Sequence, residues 1–143
     1  LKTINEHLEI LTKKFSLLYA HTFTDYKFTD YINDESALDG NYLPSIPRYF
    51  GKFNFLYELK KKYAIDLELY YSGEIFLNDN NTHSNAKYLL SNLKVKKTHE
   101  AFGQSVTIFY YIGNIFNIDY DSNIRINAGV RDIMSPGLLG IIL

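Results

Sequence analysis

The chain has no cysteine and no tryptophan, and among its 143 residues only three are proline, eight glycine and one methionine. Without cysteine there is no disulfide framework, no thiolate metal site and no cysteine nucleophile. So little glycine and proline excludes collagen-like and low-complexity classes. Charge of one sign is also lacking: fifteen basic residues face sixteen acidic ones, a formal net charge of -1. A nucleic-acid binder carries a broad basic footprint, and none is present. Long apolar runs are missing as well, since stretches such as 138–143 fall far short of the ~20 residues a spanning helix needs. The single methionine is Met134, and Leu1 runs straight into patterned sequence with no secretory signal. The expectation is a chain whose upstream part is missing.

What is abundant is strand chemistry: thirteen tyrosines and ten phenylalanines, residues that favour a pleated, half-buried surface. Phe15, Leu17, Tyr19, His21 and Phe23 alternate with Ser16, Leu18, Ala20, Thr22 and Thr24, a period of two with one bulky and one smaller face. The pattern returns where Tyr49, Gly51, Phe53, Phe55, Tyr57 and Leu59 alternate with Arg48, Phe50, Lys52, Asn54, Leu56 and Glu58. It continues where Ile65, Leu67, Leu69 and Tyr71 alternate with Asp66, Glu68, Tyr70 and Ser72. Further strands are expected at 87–97, at 104–113 with Val106, Ile108, Tyr110 and Ile112 on one side, and at 138–143. Residues 4–11 read as a strand or a helix.

Connection lengths alternate along the chain. Short ones are expected near 12–14, 60–63 and 98–103; between them fall long ones at about 27–46, 76–86 and 114–136. Successive antiparallel strands put alternate turns at opposite ends of a sheet, so the long loops share one end. Outer-membrane barrels show this asymmetry, with strands of about ten residues and aromatics near the strand ends. Lipid would then face the bulky side. The charged side, with Arg48, Lys52, Asn54, Glu58, Asp66 and Glu68, would face the lumen, meeting a plug or forming a hydrated wall of paired charges.

Three segments carry a family resemblance. Asn114-Ile115-Phe116-Asn117-Ile118-Asp119-Tyr120 resembles the Asn-Leu-Phe-Asn/Asp-x-x-Tyr element of the C-terminal strands of TonB-dependent receptors. Gly40-Asn41-Tyr42-Leu43-Pro44-Ser45-Ile46-Pro47 is similar to that family's Gly-Asn-x-Leu-Pro-x-x-Pro segment, and Pro136-Gly137 to its Pro-Gly before the final strand. Their order and spacing match too. Leu138 replaces the Arg that often follows the Pro-Gly, and the chain stops at Leu143, where the family usually ends on an aromatic. The resemblance implies an all-β fold in which antiparallel strands form the C-terminal part of a transmembrane β-barrel. Residues 1–143 would be a partial barrel domain holding the last six or seven strands, with the plug domain upstream. It also implies a bacterial outer-membrane location and import of a scarce ligand such as a siderophore, haem, cobalamin or another metal chelate. Partners would be outer-membrane lipid and the TonB energy-coupling protein, reached through the missing N-terminal region. Rival readings are a small soluble all-β ligand-binding module and a piece of a different outer-membrane barrel.

The candidate site residues follow. Asn114, Phe116, Asn117 and Tyr120 are expected to clamp the start of a loop, with Phe116 and Tyr120 packing and Asn114 or Asn117 bonding backbone. Gly40, Asn41, Leu43, Pro44, Pro47, Pro136 and Gly137 are structural on the same resemblance. Asp30, Tyr31, Asp34, Asp39 and Tyr42 either form a ligand-facing outer loop, carboxylates suiting hard cations and rings suiting flat chelates, or are simply solvated. Asn80-Asn81-Thr82 reads as an ordinary turn. His7, His21, His83 and His99 show no metal-ligand spacing, and no nucleophile elbow or glycine-rich phosphate loop is present. The expectation is therefore no catalytic residue, no metal, no cofactor and no nucleic-acid partner.

Overall fold

The structure is a computed structural model and describes residues 2–33, 36–60 and 62–121. The expected strand at 138–143, with Pro136 and Gly137, lies outside these residues, as does Asp34. Six long strands form one antiparallel sheet: β1 Lys2–Leu11, β2 Phe15–Asp25, β5 Tyr49–Lys60, β6 Tyr63–Ser72, β9 Tyr88–Ala101 and β10 Gln104–Ile112. The numbering leaves room for two small hairpins in the long connections, β3 Ile32–Asn33 with β4 Ser36–Ala37, and β7 Ile75–Phe76 with β8 Ser84–Asn85. Among the described residues there is no helix, so residues 2–11 settle as strand. The order β1-β2-β5-β6-β9-β10 is that of neighbours in sequence, and β1 and β10 are its two edges.

Register carries the period-two pattern across the whole sheet. Ile10, Leu17, Phe55, Leu67, Leu93 and Ile112 stand side by side in one row. Because the period is two, every row two residues away lies on the same face. Among the described residues no second layer covers this face: Phe53, Phe55, Leu67 and Leu69 are half-buried, and Ile108 is exposed. The small soluble module weighed above would need these side chains packed into one dry interior, and among the described residues they form none. Among the described residues only Leu38 and Ile75 are buried apolar side chains, and both lie in the long connections.

The opposite face is largely polar, interrupted by Leu11, Leu18, Phe50, Leu56, Leu90 and Phe109. Asn54 donates to Asp66 at 2.6 Å, Lys96 reaches Asp66 at 3.4 Å, and Lys52 reaches Glu68 at 3.5 Å. These are diagonal cross-strand contacts, which long side chains span. Arg48 does not join them. It stands just ahead of β5, with its guanidinium 4.9 Å from the Tyr42 ring and 5.9 Å from that of Phe23.

The short turns are offset in a regular way. Ladder pairing ends at Leu11↔Ser16 in the first hairpin, three levels lower at Lys60↔Tyr63, and four lower again at Ala101↔Gln104. Seven levels over four strand spacings, at ~3.3 Å per residue and ~4.8 Å per strand, give a tilt of roughly 50° when the three turns are set level. Barrel strands tilt by about 35–45°. The third strand pair runs longer than the sequence suggests, since β9 continues to Ala101 and leaves only Phe102 and Gly103 as the turn. Both have positive φ, 53° and 75°, as a two-residue hairpin matched to strand twist requires.

Candidate functional site

The long connections, residues 26–48, 73–87 and 113–121, gather at one end of the sheet and are the richest chemistry in the molecule. The first folds back on itself: Phe28 N–H donates to Asn41 O (2.9 Å), Leu43 N–H to Tyr26 O (3.0 Å) and Gly40 N–H to Phe28 O (3.1 Å). Gly40 has φ 86° with open space around it, so the position is set by backbone conformation rather than crowding. Leu38, 2% exposed, plugs the resulting loop. Asp39 accepts from the Tyr31 N–H at 3.1 Å and holds the turn, while Phe28 and Tyr31 stack at 4.9 Å. Asp30 is exposed at positive φ, 53°.

Tyr42 joins this connection to the next. Its backbone N–H donates to Asn81 Oδ1 at 2.7 Å, and Asn81 Nδ2 donates back to Tyr42 O at 2.8 Å. One side-chain amide thus imitates a strand partner. Asn41 Nδ2 donates to Asp79 O (3.1 Å) and Ser45 N–H to Phe76 O (2.9 Å), doubling the bridge. The Tyr42 ring stacks on Phe76 at 5.9 Å and meets Lys27 Nζ at 4.8 Å as well as Arg48, so cations and an aromatic surround it. Asn78 Oδ1 accepts from the Thr82 and His83 N–H groups, which shapes the turn that presents Asn81. Thr24 donates its hydroxyl to Pro47 O at 2.7 Å, pinning the segment around Pro44 and Pro47 to the end of β2.

At the third connection the buried Asn114 closes a ring with Ile118: its Nδ2 donates to Ile118 O and its Oδ1 accepts from Ile118 N–H, both at 2.9 Å. Its own N–H donates to Asn92 Oδ1 at 2.9 Å. Asn117 contributes only its backbone N–H, to Asn114 O at 2.8 Å. Tyr120 packs on Tyr88 with ring centroids 5.2 Å apart. Phe116 does not pack; it is 69% exposed.

No protein-family model matches the chain, and no curated protein matches it. A solved structure does: the siderophore receptor PiuA from Acinetobacter baumannii, with a TM-score of 0.73 at 15% identity, covering 86% of this chain. This chain spans 18% of that receptor chain. The likeness shows the fold. The six strands are arranged like a section of a barrel wall, antiparallel and not closed on themselves.

Within that architecture the sequence-derived residues divide. The structure brings Asn41 and Tyr42 together with the 73–87 connection, holds Gly40 and Leu43 by backbone bonds within the first connection, and brings Asn114 together with Ile118 and β9. It leaves Asp30 and Tyr31 on the outer surface of the first loop and Phe116 at the surface of the third. Asn78, Lys27 and Phe76 were not singled out by the sequence, and Asn81 was read only as part of an ordinary turn. The Asn-Asp-Asn-Asn run at 78–81 is a turn signal, but its reach across to Tyr42 spans 39 residues and has no local signature.

Proposed function

We propose that this chain is part of the wall of an outer-membrane receptor barrel of the TonB-dependent type, importing a scarce ligand such as a siderophore, haem, cobalamin or another metal chelate. One observation carries the reading: among the described residues an apolar face continuous over six tilted strands has no protein layer on it, while the opposite face holds the ion pairs. In lipid that arrangement is the stable one, because hydrocarbon solvates the apolar face and the ladder satisfies the backbone. In water it would expose six strands' worth of apolar side chains. The likeness to a siderophore receptor supports the receptor type. Residues 1–143 are read as a partial barrel domain whose edges at β1 and β10 pair with other strands, since an unpaired edge in lipid strands its backbone donors.

On this reading the loop cluster around Tyr42 faces the outside and offers aromatic and cationic surface to an anionic chelate, with Asp30 and Tyr31 at its margin. Energy coupling through TonB belongs to regions upstream of these strands.

The absence of cysteine makes a direct test clean. Single cysteines at Leu67 and Leu93, on the apolar face, are expected to react with a lipid-soluble thiol reagent in intact outer membranes. A cysteine at Glu68 is expected to react with a water-soluble one. A soluble monomer that melts cooperatively, with all three sites open to the aqueous reagent, rejects the reading.

A further inference from the structure

The end of the sheet opposite the loop cluster has its own chemistry. Lys13 and Lys14 are exposed in the first short turn, and Lys62 is exposed in the second, where the sequence runs Lys60-Lys61-Lys62. Lys97 stands on the apolar face and extends its ammonium to 5.4 Å from the ring of Tyr63, beside the second turn. Glu9, Glu58 and Glu100 are the acidic residues near this end, too few to balance Lys13, Lys14, Lys60, Lys62 and Lys97; Lys96 is already held by Asp66 and is not counted. The lysines are not on loose loops. Glu58 N–H donates to Lys14 O and Thr98 N–H to Lys62 O, both at 2.7 Å, so each turn is bonded to the next strand. Apolar groups interleave with them: Leu59 and Tyr63 are exposed, and Phe102 at the third turn is 106% exposed.

Resting on the barrel-wall reading above, we propose that this short-turn rim is a docking surface for the anionic headgroups of phospholipids. Three features favour lipid over an acidic polypeptide. Lys97 and Tyr63 project from the face that meets hydrocarbon, which places a cation at the boundary where headgroup phosphate lies. Phe102 and Leu59 are suited to dip below that boundary while the ammonium groups stay at it. The tilt that sets the three turns level also brings the lysines of successive hairpins to one height. The opposite end is unsuited to the same ligand: residues 25–48, 73–87 and 113–121 hold nine acidic and three basic residues.

The complete gene product that contains this chain is placed in bilayers of phosphatidylcholine mixed with phosphatidylglycerol. Native mass spectrometry then counts the lipids it retains. Retained phosphatidylglycerol is expected to exceed its share of the mixture and to fall as salt is raised. In the combined variant Lys13→Gln, Lys14→Gln, Lys62→Gln, Lys97→Gln the enrichment is expected to drop, by up to roughly fivefold for each lysine removed. The matching lysine-to-arginine variant is expected to keep it, as is Lys27→Gln with Lys87→Gln at the loop end. If the bilayer shields the strands from protease and phosphatidylglycerol is still not enriched, the proposal is overturned while the barrel wall stands. Enrichment that survives the glutamine variant overturns it equally. Strands open to protease in every bilayer overturn both readings.

Discussion

The sheet and the loop cluster solve the burial problem in opposite ways. The loop cluster holds the buried apolar side chains found among the described residues, Leu38 and Ile75, alongside buried polar ones such as Asn85 and Asn114, and polar bridges tie it together. In the sheet the buried groups are polar, Thr24, Asp66, Ser72 and Ser91 among them, while leucine, isoleucine and tyrosine side chains lie open. On the proposed reading, two regions of one chain meet two solvents. The loop cluster gains from water in the ordinary way, through apolar burial. On the barrel-wall reading proposed above, the sheet's apolar face is instead stabilised by the hydrocarbon that covers it.

A charge placed on the apolar face gives the largest expected break in this contrast. Leu67→Arg is expected to cost about 2–4 kcal/mol of folding stability in lipid, the range for arginine near the midplane of a barrel's outer face. Leu56→Arg, opposite Asp66 on the other face, is expected to change it by under about 1 kcal/mol. Urea titration of the protein in vesicles reads both values, and equal costs would show that the two faces are not solvated differently.

A smaller and local effect is expected in the loop cluster. Asn81→Ala removes both bonds to the Tyr42 backbone and is expected to cost about 1–2 kcal/mol there. Amide exchange would quicken at Tyr42, Phe28 and Leu43 and stay unchanged in β5 and β6. Spread of the loss into the sheet would mean that the two regions are not separate.

Smallest of all is the polar face. Lys52 and Glu68 are 3.5 Å apart with side chains 37% and 21% exposed, so solvent screens the pair. Lys52→Gln is expected to shift the same urea titration by well under about 1 kcal/mol.

The sheet was largely legible in the sequence, and for one reason: a strand with two different faces writes a period of two that needs no partner to be read. The strand at 104–112 shows it, with Val106, Ile108, Tyr110 and Ile112 all on one face. Legibility failed where that contrast fades. In β9 the residues after Lys97, namely Thr98, His99 and Glu100, are polar on both faces, so alternation fades and the strand read several residues too short. Arg48 was misplaced because alternation says which side a residue would take inside a strand, not where the strand begins. The loop cluster was read only in part. Tyr42 and Asp39 were picked out by residue type, yet Asp39 turns out to hold a backbone turn. Asn81 passed as an ordinary turn residue because its partner lies in another connection.

The offset of the hairpins has one more implication. A ribbon whose every fold sits lower than the last is a spiral stair, and it can meet its own starting step only if the descent over a full lap is a whole, even number of residues. Each of the six long strands contributes to that sum. Lengthening a loop or trimming a turn leaves the count untouched, whereas deleting one residue inside a strand would turn everything beyond it inside out at the seam.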